Sequence, residues 1–262
     1  MTFEPSKPST ARMYDYFLGG YHNFAIDRQA AEQITALYPN AALAARTNRS
    51  FLRRAVTFLL EQGIEQFLDI GSGIPTVGNV HEIVAGIQPE ARVIYVDIDP
   101  VTVTYSQTIL EGNHNVIAIH GDVRAPAELL EHAEVRGMLD FQRPVAILMV
   151  ALLHFVPTDA EAQQIVQVLT TGIPNGSYLV ISHVTNEYLS PEVIAESEAV
   201  YARSTTPSKL RSRSQIAALF DGLELVEPGL VLVPLWRPNE ADDLFMDMPE
   251  QSMFFAGVGR KP

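Results

Sequence analysis

Cysteine is absent from the 262 residues. Disulfides, thiolate metal sites and cysteine nucleophiles are excluded together, and the absence suits a reducing cytoplasm. Positive charge is scarce: 18 Lys and Arg face 31 Asp and Glu, for a formal net charge of -13. That field repels phosphate backbones and anionic lipid heads, so nucleic acid and membrane surfaces are poor partners. The densest basic stretch, Arg46, Arg49, Arg53 and Arg54, has helical spacing with apolar residues between, and reads as a solvated helix face. Long apolar runs are also missing. The longest, 145–156, is interrupted by His154 and falls short of the roughly 20 residues that a membrane helix needs. The first ten residues carry Pro5 and Pro8 and no apolar stretch, unlike a signal peptide. No internal repeat or low-complexity tract is present. What the chain does have is a 47% hydrophobic content, enough for a substantial core.

Periodicity divides the chain in two. Residues 9–20, 28–38 and 41–62 read as helices, stopped by Gly19-Gly20, Pro39 and Gly63. They form an N-terminal helical segment, 1–62, ahead of one compact unit, 63–262. In that unit strands are expected at 66–70, 92–97, 116–120, 145–150 and 178–182. Helices are expected at 78–87, 100–110, 126–132, 159–170 and 191–203. Near-continuous apolar strands alternating with helices imply an α/β fold, a parallel sheet covered on both faces. After a helix at 212–220 come apolar segments at 223–226, 230–235 and 253–258. With no helix between them, they predict an antiparallel hairpin at the sheet edge.

The chemistry concentrates at strand ends. After the strand at 66–70, Asp69 is followed by Gly71, Ser72 and Gly73. Glycines permit positive φ and let the backbone approach a ligand. An acid ahead of the glycines suits a cationic amine, whereas a pyrophosphate prefers an uncharged turn feeding a helix N-terminus. Asp69 can equally serve only to hold the turn. The second strand ends in Asp97-Ile98-Asp99-Pro100, which places Asp97 to accept both hydroxyls of a ribose and Asp99 to cap the next helix. The third ends in Gly121-Asp122-Val123, an acid for an adenine amine with an apolar residue to pack on the ring. The fourth runs into Val150 and Ala151, whose backbone can face the rest of such a ligand. His154 follows as a candidate general base, with His183 after the fifth strand of lower standing. No metal site is evident: His81-Glu82 lacks a second ligand at helical spacing, and His114 and His120 lack carboxylate partners.

Asp69-x-Gly71-x-Gly73, Asp97, Gly121-Asp122, Leu153-His154 and the terminal hairpin together resemble class I S-adenosyl-L-methionine (SAM)-dependent methyltransferases. A narrower resemblance spans nearly the whole chain. ARMYDYFLGG over 11–20, Asn23-Phe24, Asp27-Arg28, LDIGSGIPT over 68–76 and GNVH over 78–81 are similar to one bacterial family. Its members are SAM methyltransferases formerly catalogued as a domain of unknown function. The resemblance implies a Rossmann-like, doubly wound, seven-stranded and mostly parallel sheet with an antiparallel C-terminal hairpin and an N-terminal helical lid. It also implies SAM as cofactor; it supplies no substrate. Pro75 stands where many methyltransferases have a third glycine, and Thr76 where a dinucleotide fingerprint would have one.

Tyr14, Asp15, Tyr16 and Asn23 form a polar-aromatic cluster outside the core fold. Such a segment can close over a cofactor and shape a substrate pocket. Arg12 is placed to meet the methionine carboxylate, Tyr16 and Asn23 to bond cofactor or substrate, and Gly20 to end the lid helix. The reading is a cytoplasmic enzyme moving a methyl group to a small-molecule acceptor. Two alternatives stand beside it: a protein that binds SAM without turnover, and an NAD-dependent oxidoreductase, which Thr76 and the edge hairpin disfavour.

Overall fold

The computed structural model describes residues 5–75, 78–239 and 244–262. Thr76, part of the expected glycine-turn motif, lies outside them. Three helices come first: α1 (Thr10–Phe17), α2 (Ala25–Leu37) and α3 (Ala41–Glu61). The alternating unit follows with β1 (Gln66–Ile70), α4 (Val80–Ile87), β2 (Arg92–Asp97), α5 (Pro100–Ile109) and β3 (Val116–His120). Next are α6 (Pro126–Glu131), α7 (Ala133–Met138), β4 (Ala146–Val150), α8 (Asp159–Thr171), β5 (Tyr178–Val184), α9 (Pro191–Tyr201) and α10 (Arg213–Ala217). The chain closes with β6 (Glu224–Leu225), β7 (Val231–Leu232) and β8 (Phe254–Arg260).

The sheet runs β3-β2-β1-β4-β5-β8-β6, with β7 also paired to β8. The first five strands are parallel; β8 is antiparallel to β5, β6 and β7. The order reverses at β1, which lies between β2 and β4, so a crevice opens there at the strands' carboxyl ends. The sheet has eight strands against seven expected, because the outer partner of β8 is two short pieces. Pro234 is one cause of the break. It has no N–H for a ladder, and 233–235 turn into a 3-10 helix instead of extending the strand expected over 230–235. The unforeseen α7 begins where His132 Nδ1 accepts from Glu134 N at 3.3 Å.

Strand alternation decides which side chains reach the site. Leu68, Ile70, Ile94, Val96, Ile147 and Met149 bury against α6, α8 and α10, while Phe67, Val93, Tyr95, Ala146 and Leu148 bury against α3 and α4. With a period of two, Asp69, Asp97 and Val150 all fall on the α3 side. α3 is buried on two faces. Phe51, Ala55 and Leu59 pack on the sheet, and Ala41 and Ala45 join Met13, Phe17, Ala31 and Ile34 of α1 and α2 in a separate cluster with Val200 of α9. The solvated-face expectation holds for Arg46 and Arg53 and fails for Arg54. Arg54 is buried, donating from Nε to Trp236 O at 2.8 Å and from Nη2 to Val233 O at 2.7 Å. No helix among the described residues is long and apolar enough to cross a membrane.

Candidate active site

One cavity of about 1870 Å³, its open mouth included, lies over the carboxyl ends of β1, β2, β3 and β4 and beneath α1, α2, α3 and α9. Asp69, Gly71, Ser72, Gly73, Asp97, Ile98, Gly121, Asp122, Val123, Val150, Ala151 and His154 all line it. Its floor is built by backbone geometry. Gly71 (φ +69) and Gly73 (φ +65) take conformations that L side chains rarely adopt, and a Cβ on Gly73 would stand in open space. A ligand can therefore come up against that backbone. Ala151 holds φ +56 although it carries a side chain, pinned by its N–H donating to Ser182 O at 3.1 Å and Oγ at 2.9 Å. Left-handed backbone at a non-glycine costs about 1–2 kcal/mol, and such strain collects at ligand sites.

One of the two acids beside the turn is engaged by its backbone. Asp97, not Asp69, holds the turn: Asp97 Oδ2 accepts from Gly73 N and Oδ1 from Asp99 N, both at 2.9 Å. Burial still raises Asp97 to about 6. Asp69 is 5% exposed and accepts no hydrogen bond from any described residue. Burial pushes its carboxyl up to about 7, against the pull of Arg49 and with the help of Asp97. A buried carboxylate without a donor is costly unless a cation meets it. Asp122 is more exposed and is forked by Arg124 at 2.6–3.0 Å, which holds it below the usual range against the opposing effect of burial. An adenine amine would share or displace that arginine, at little cost for so exposed a pair.

Both histidines are neutral, for different reasons. Arg211 Nη1 donates to His183 Nε2 at 2.9 Å, so His183 Nδ1 carries the proton and donates to Val184 O at 2.7 Å. Burial brings its pKa down to about 3. Its basic nitrogen is already used, so it is no general base. His154, 7% exposed, is pushed well below its ordinary value by burial, then by His183 and Arg211. Its ring nitrogens make no hydrogen bond to a described residue.

Of the five lid residues, only Tyr14 lines the main cavity. Its hydroxyl donates to Ala45 O at 3.2 Å and accepts from Asn48 Nδ2 at 3.0 Å. Arg12 is corrected. Its guanidinium is spent on Asp27 and Asp99, each at 2.8 Å, and stitches α1 to the end of β2 instead of facing a ligand carboxylate. Tyr16 reaches Glu32 at 3.3 Å, away from the cavity. Asn23 Nδ2 donates to Asp15 Oδ2 at 2.8 Å and Gly20 O at 2.9 Å. At Gly20 an added Cβ would lie 2.0 Å from Asp15 Oδ1, so Gly20 shapes the lid turn itself. Breaking a buried pair costs about 3–5 kcal/mol. Arg12→Met should accordingly free α1 locally, with its amides exchanging hydrogen at least 100-fold faster while β1 and β4 keep their protection.

The cation that spacing did not identify is Arg49. It lines the cavity, lies over the Tyr14 ring (5.6 Å to the centroid) and donates to Asn79 Oδ1 at 3.2 Å. Arg49 Nε and Asn79 Nδ2 are buried and unpartnered among the described residues. The available signal was the second apolar row, Ala41, Ala45 and Leu52, into which Arg49 falls at helical spacing. These orphan donors lie on the same side as the donor-less Asp69. The site thus presents both halves of what an amino-acid zwitterion requires.

A parallel sheet reversing at β1, a glycine turn, acids ending three successive strands and β8 inserted between β5 and β6 are the arrangement of class I SAM-dependent methyltransferases. A family model described as S-adenosyl methyltransferase matches residues 1–262, and the chain belongs to that family. Two solved structures are closely similar at 39% identity. A candidate methyltransferase from Thermobifida fusca YX has a TM-score of 0.90, with 98% of this chain and 96% of that one covered. A DUF574-family protein from Streptomyces avermitilis MA-4680 has a TM-score of 0.91, with 98% of each covered. An O-methyltransferase family protein from Burkholderia thailandensis, at 13% identity and TM-score 0.55, covers 98% of this chain and 65% of its own and shares the fold. No curated protein matches the sequence. The protein is a methyltransferase, and SAM is its cofactor.

Proposed function

We propose that the protein methylates a small organic acceptor in the cytoplasm, with SAM held at the β1–β4 ends and the acceptor between the lid helices and α9. The observation that carries this is Asp69, a buried carboxylate with no donor of its own at the floor of a chamber whose other half is apolar. Asp69 would meet the cofactor's ammonium, and Arg49 with Asn79 its carboxylate. Asp97 would accept from the ribose hydroxyls, and Ile98, Asp122 and Val123 would hold the adenine. The cofactor supplies an activated sulfonium methyl. The protein's task is then alignment and exclusion of water, and alignment can supply about 7–11 kcal/mol. A general base adds about 3–5 kcal/mol, so positioning dominates. α1 and α2 act as the lid, and His154, neutral and unpartnered, is the group placed to receive a proton from the acceptor.

Calorimetry with SAM, S-adenosylhomocysteine and NAD tests the cofactor assignment. Micromolar binding of the SAM pair, weakened at least about 30-fold in Asp97→Ala, is expected from losing a charged acceptor worth about 2 kcal/mol. NAD binding in place of SAM would reverse the reading. Binding of SAM without methyl transfer to any member of a broad acceptor panel would make the protein a SAM binder.

A further inference from the structure

The cavity's charges are segregated. Its charged side chains are Arg49, Asp69, Asp97, Asp99, Asp122 and Arg124, all in the half where the cofactor would sit. The half under the lid is walled by rings and aliphatic groups, with Phe17, Phe155, Tyr201 and Phe254 facing Ile34 and Leu37, and carries no Lys, Arg, Asp or Glu. Burying an ion there without a partner costs several kcal/mol, whereas aromatic walls favour a planar apolar body.

Ser9, Thr10, Ser197, Thr205 and Thr206 also line this half, and two further polar groups there are buried and unpaired. His154 has no hydrogen bond to either ring nitrogen from a described residue, and its Nδ1 is fully buried. Ser208, another wall residue, has its Oγ buried without a partner. Lys209 N donates to His154 O at 2.7 Å, which brings the segment bearing Ser208 against that histidine. Buried polar atoms left unpaired cost about 1–3 kcal/mol each, so an occupant that bonds them recovers that energy. A neutral imidazole offers one donor and one acceptor, and a hydroxyl matches both.

Deepening the methyltransferase reading and resting on it, we propose that the acceptor is an uncharged aromatic compound whose hydroxyl is recognised by His154 and Ser208. The specificity is twofold. Charge is rejected by the chamber's apolar wall, and the ring is oriented by two buried, unpaired polar groups of that half.

The test titrates 2-naphthol, 2-naphthoate, naphthalene and 2-naphthylmethylammonium into the full chain saturated with S-adenosylhomocysteine. We expect 2-naphthol to bind at least about 30-fold tighter than either charged analogue. Ser208→Ala should weaken 2-naphthol about fivefold and leave naphthalene unchanged, a difference that a general loss of folding would not produce. Leu37→Arg, placing a cation in the apolar wall, should reverse the ranking toward 2-naphthoate. Naphthoate or the ammonium binding as well as naphthol, or no probe binding to the saturated protein, would overturn the proposal. Should S-adenosylhomocysteine itself not bind, the cofactor reading falls, and the same ranking measured on the free protein decides this one.

Discussion

Asp69→Asn is expected to make the free protein more stable at pH 8 while weakening its hold on SAM by 30- to 1000-fold. Both effects have one source. Asp69 is buried without a donor, and its carboxyl is raised from 3.8 to about 7. For an acid with a raised folded pKa, stability is greatest below the unfolded value. It declines as pH climbs from about 4 to about 7 and is level above that. At about 1.4 kcal/mol per decade of proton affinity, the ionised form costs the free protein on the order of 3–5 kcal/mol at pH 8. Asparagine removes that cost, so the variant should unfold at higher urea at pH 8 and match the parent near pH 4. The same substitution deletes the anion proposed to meet the cofactor's ammonium, a charge-assisted bond worth about 2–4 kcal/mol in binding. In the parent, SAM affinity should fall with decreasing pH below about 7, steepening near 6 where Asp97 also titrates. Adenosine, which lacks the methionine ammonium, should show only the Asp97 part. Calorimetry from pH 5.5 to 8 checks this, and an Asn variant that binds SAM as tightly as the parent would end the assignment.

Arg211→Ala is expected to destabilise the protein by about 3–5 kcal/mol. Arg211 is fully buried and donates to the carbonyls of Leu153, Val156 and Thr158 at 2.8–3.0 Å, to His183 Nε2 and to Asp159. The ion pair is the lesser part, since Asp159 is 45% exposed and such pairs are worth about 1 kcal/mol or less. The carbonyls dominate: two buried acceptors, Leu153 O and Val156 O, lose their donor at about 1–3 kcal/mol each, and the part-buried Thr158 O adds less. With a urea slope of about 3 kcal/mol per molar, the midpoint should drop by more than 1 M. Because Arg211 holds 153–158, which contains His154, any residual folded Arg211→Ala should also lose methyl transfer before it loses SAM binding. Lysine, with a single ammonium, cannot reach all these carbonyls and should rescue little.

The N-terminal segment was legible as helices and as a cluster of polar aromatics, but the partners of its charges were not. Arg12 on α1 and Arg49 on α3 both lie on amphipathic helices. What separates them is that Asp27 and Asp99 enclose Arg12, whereas Arg49 lines the cavity and keeps a buried, unpartnered Nε. Asp69 and Asp97 show the same limit. Both were visible as strand-end acids, yet which one holds the turn depends on Gly73 N pointing across to β2. Arg211 carried no signal at all, because it lies in a segment without periodicity and its partners are mostly main-chain carbonyls.

The sequence alone determined the strand and helix succession, the glycine turn and the acids that end β1, β2 and β3. These are local matters of period, backbone freedom and chain order. That Asp69 and Asp97 fall on one face came from the pairing register, because these strands are apolar on both faces. Only the tertiary structure decided which charges are spent and which are free. A charge's state depends on the donors within about 3 Å and on the water excluded around it, and those neighbours come from residues as far apart as Arg12 and Asp99 or Arg211 and Leu153.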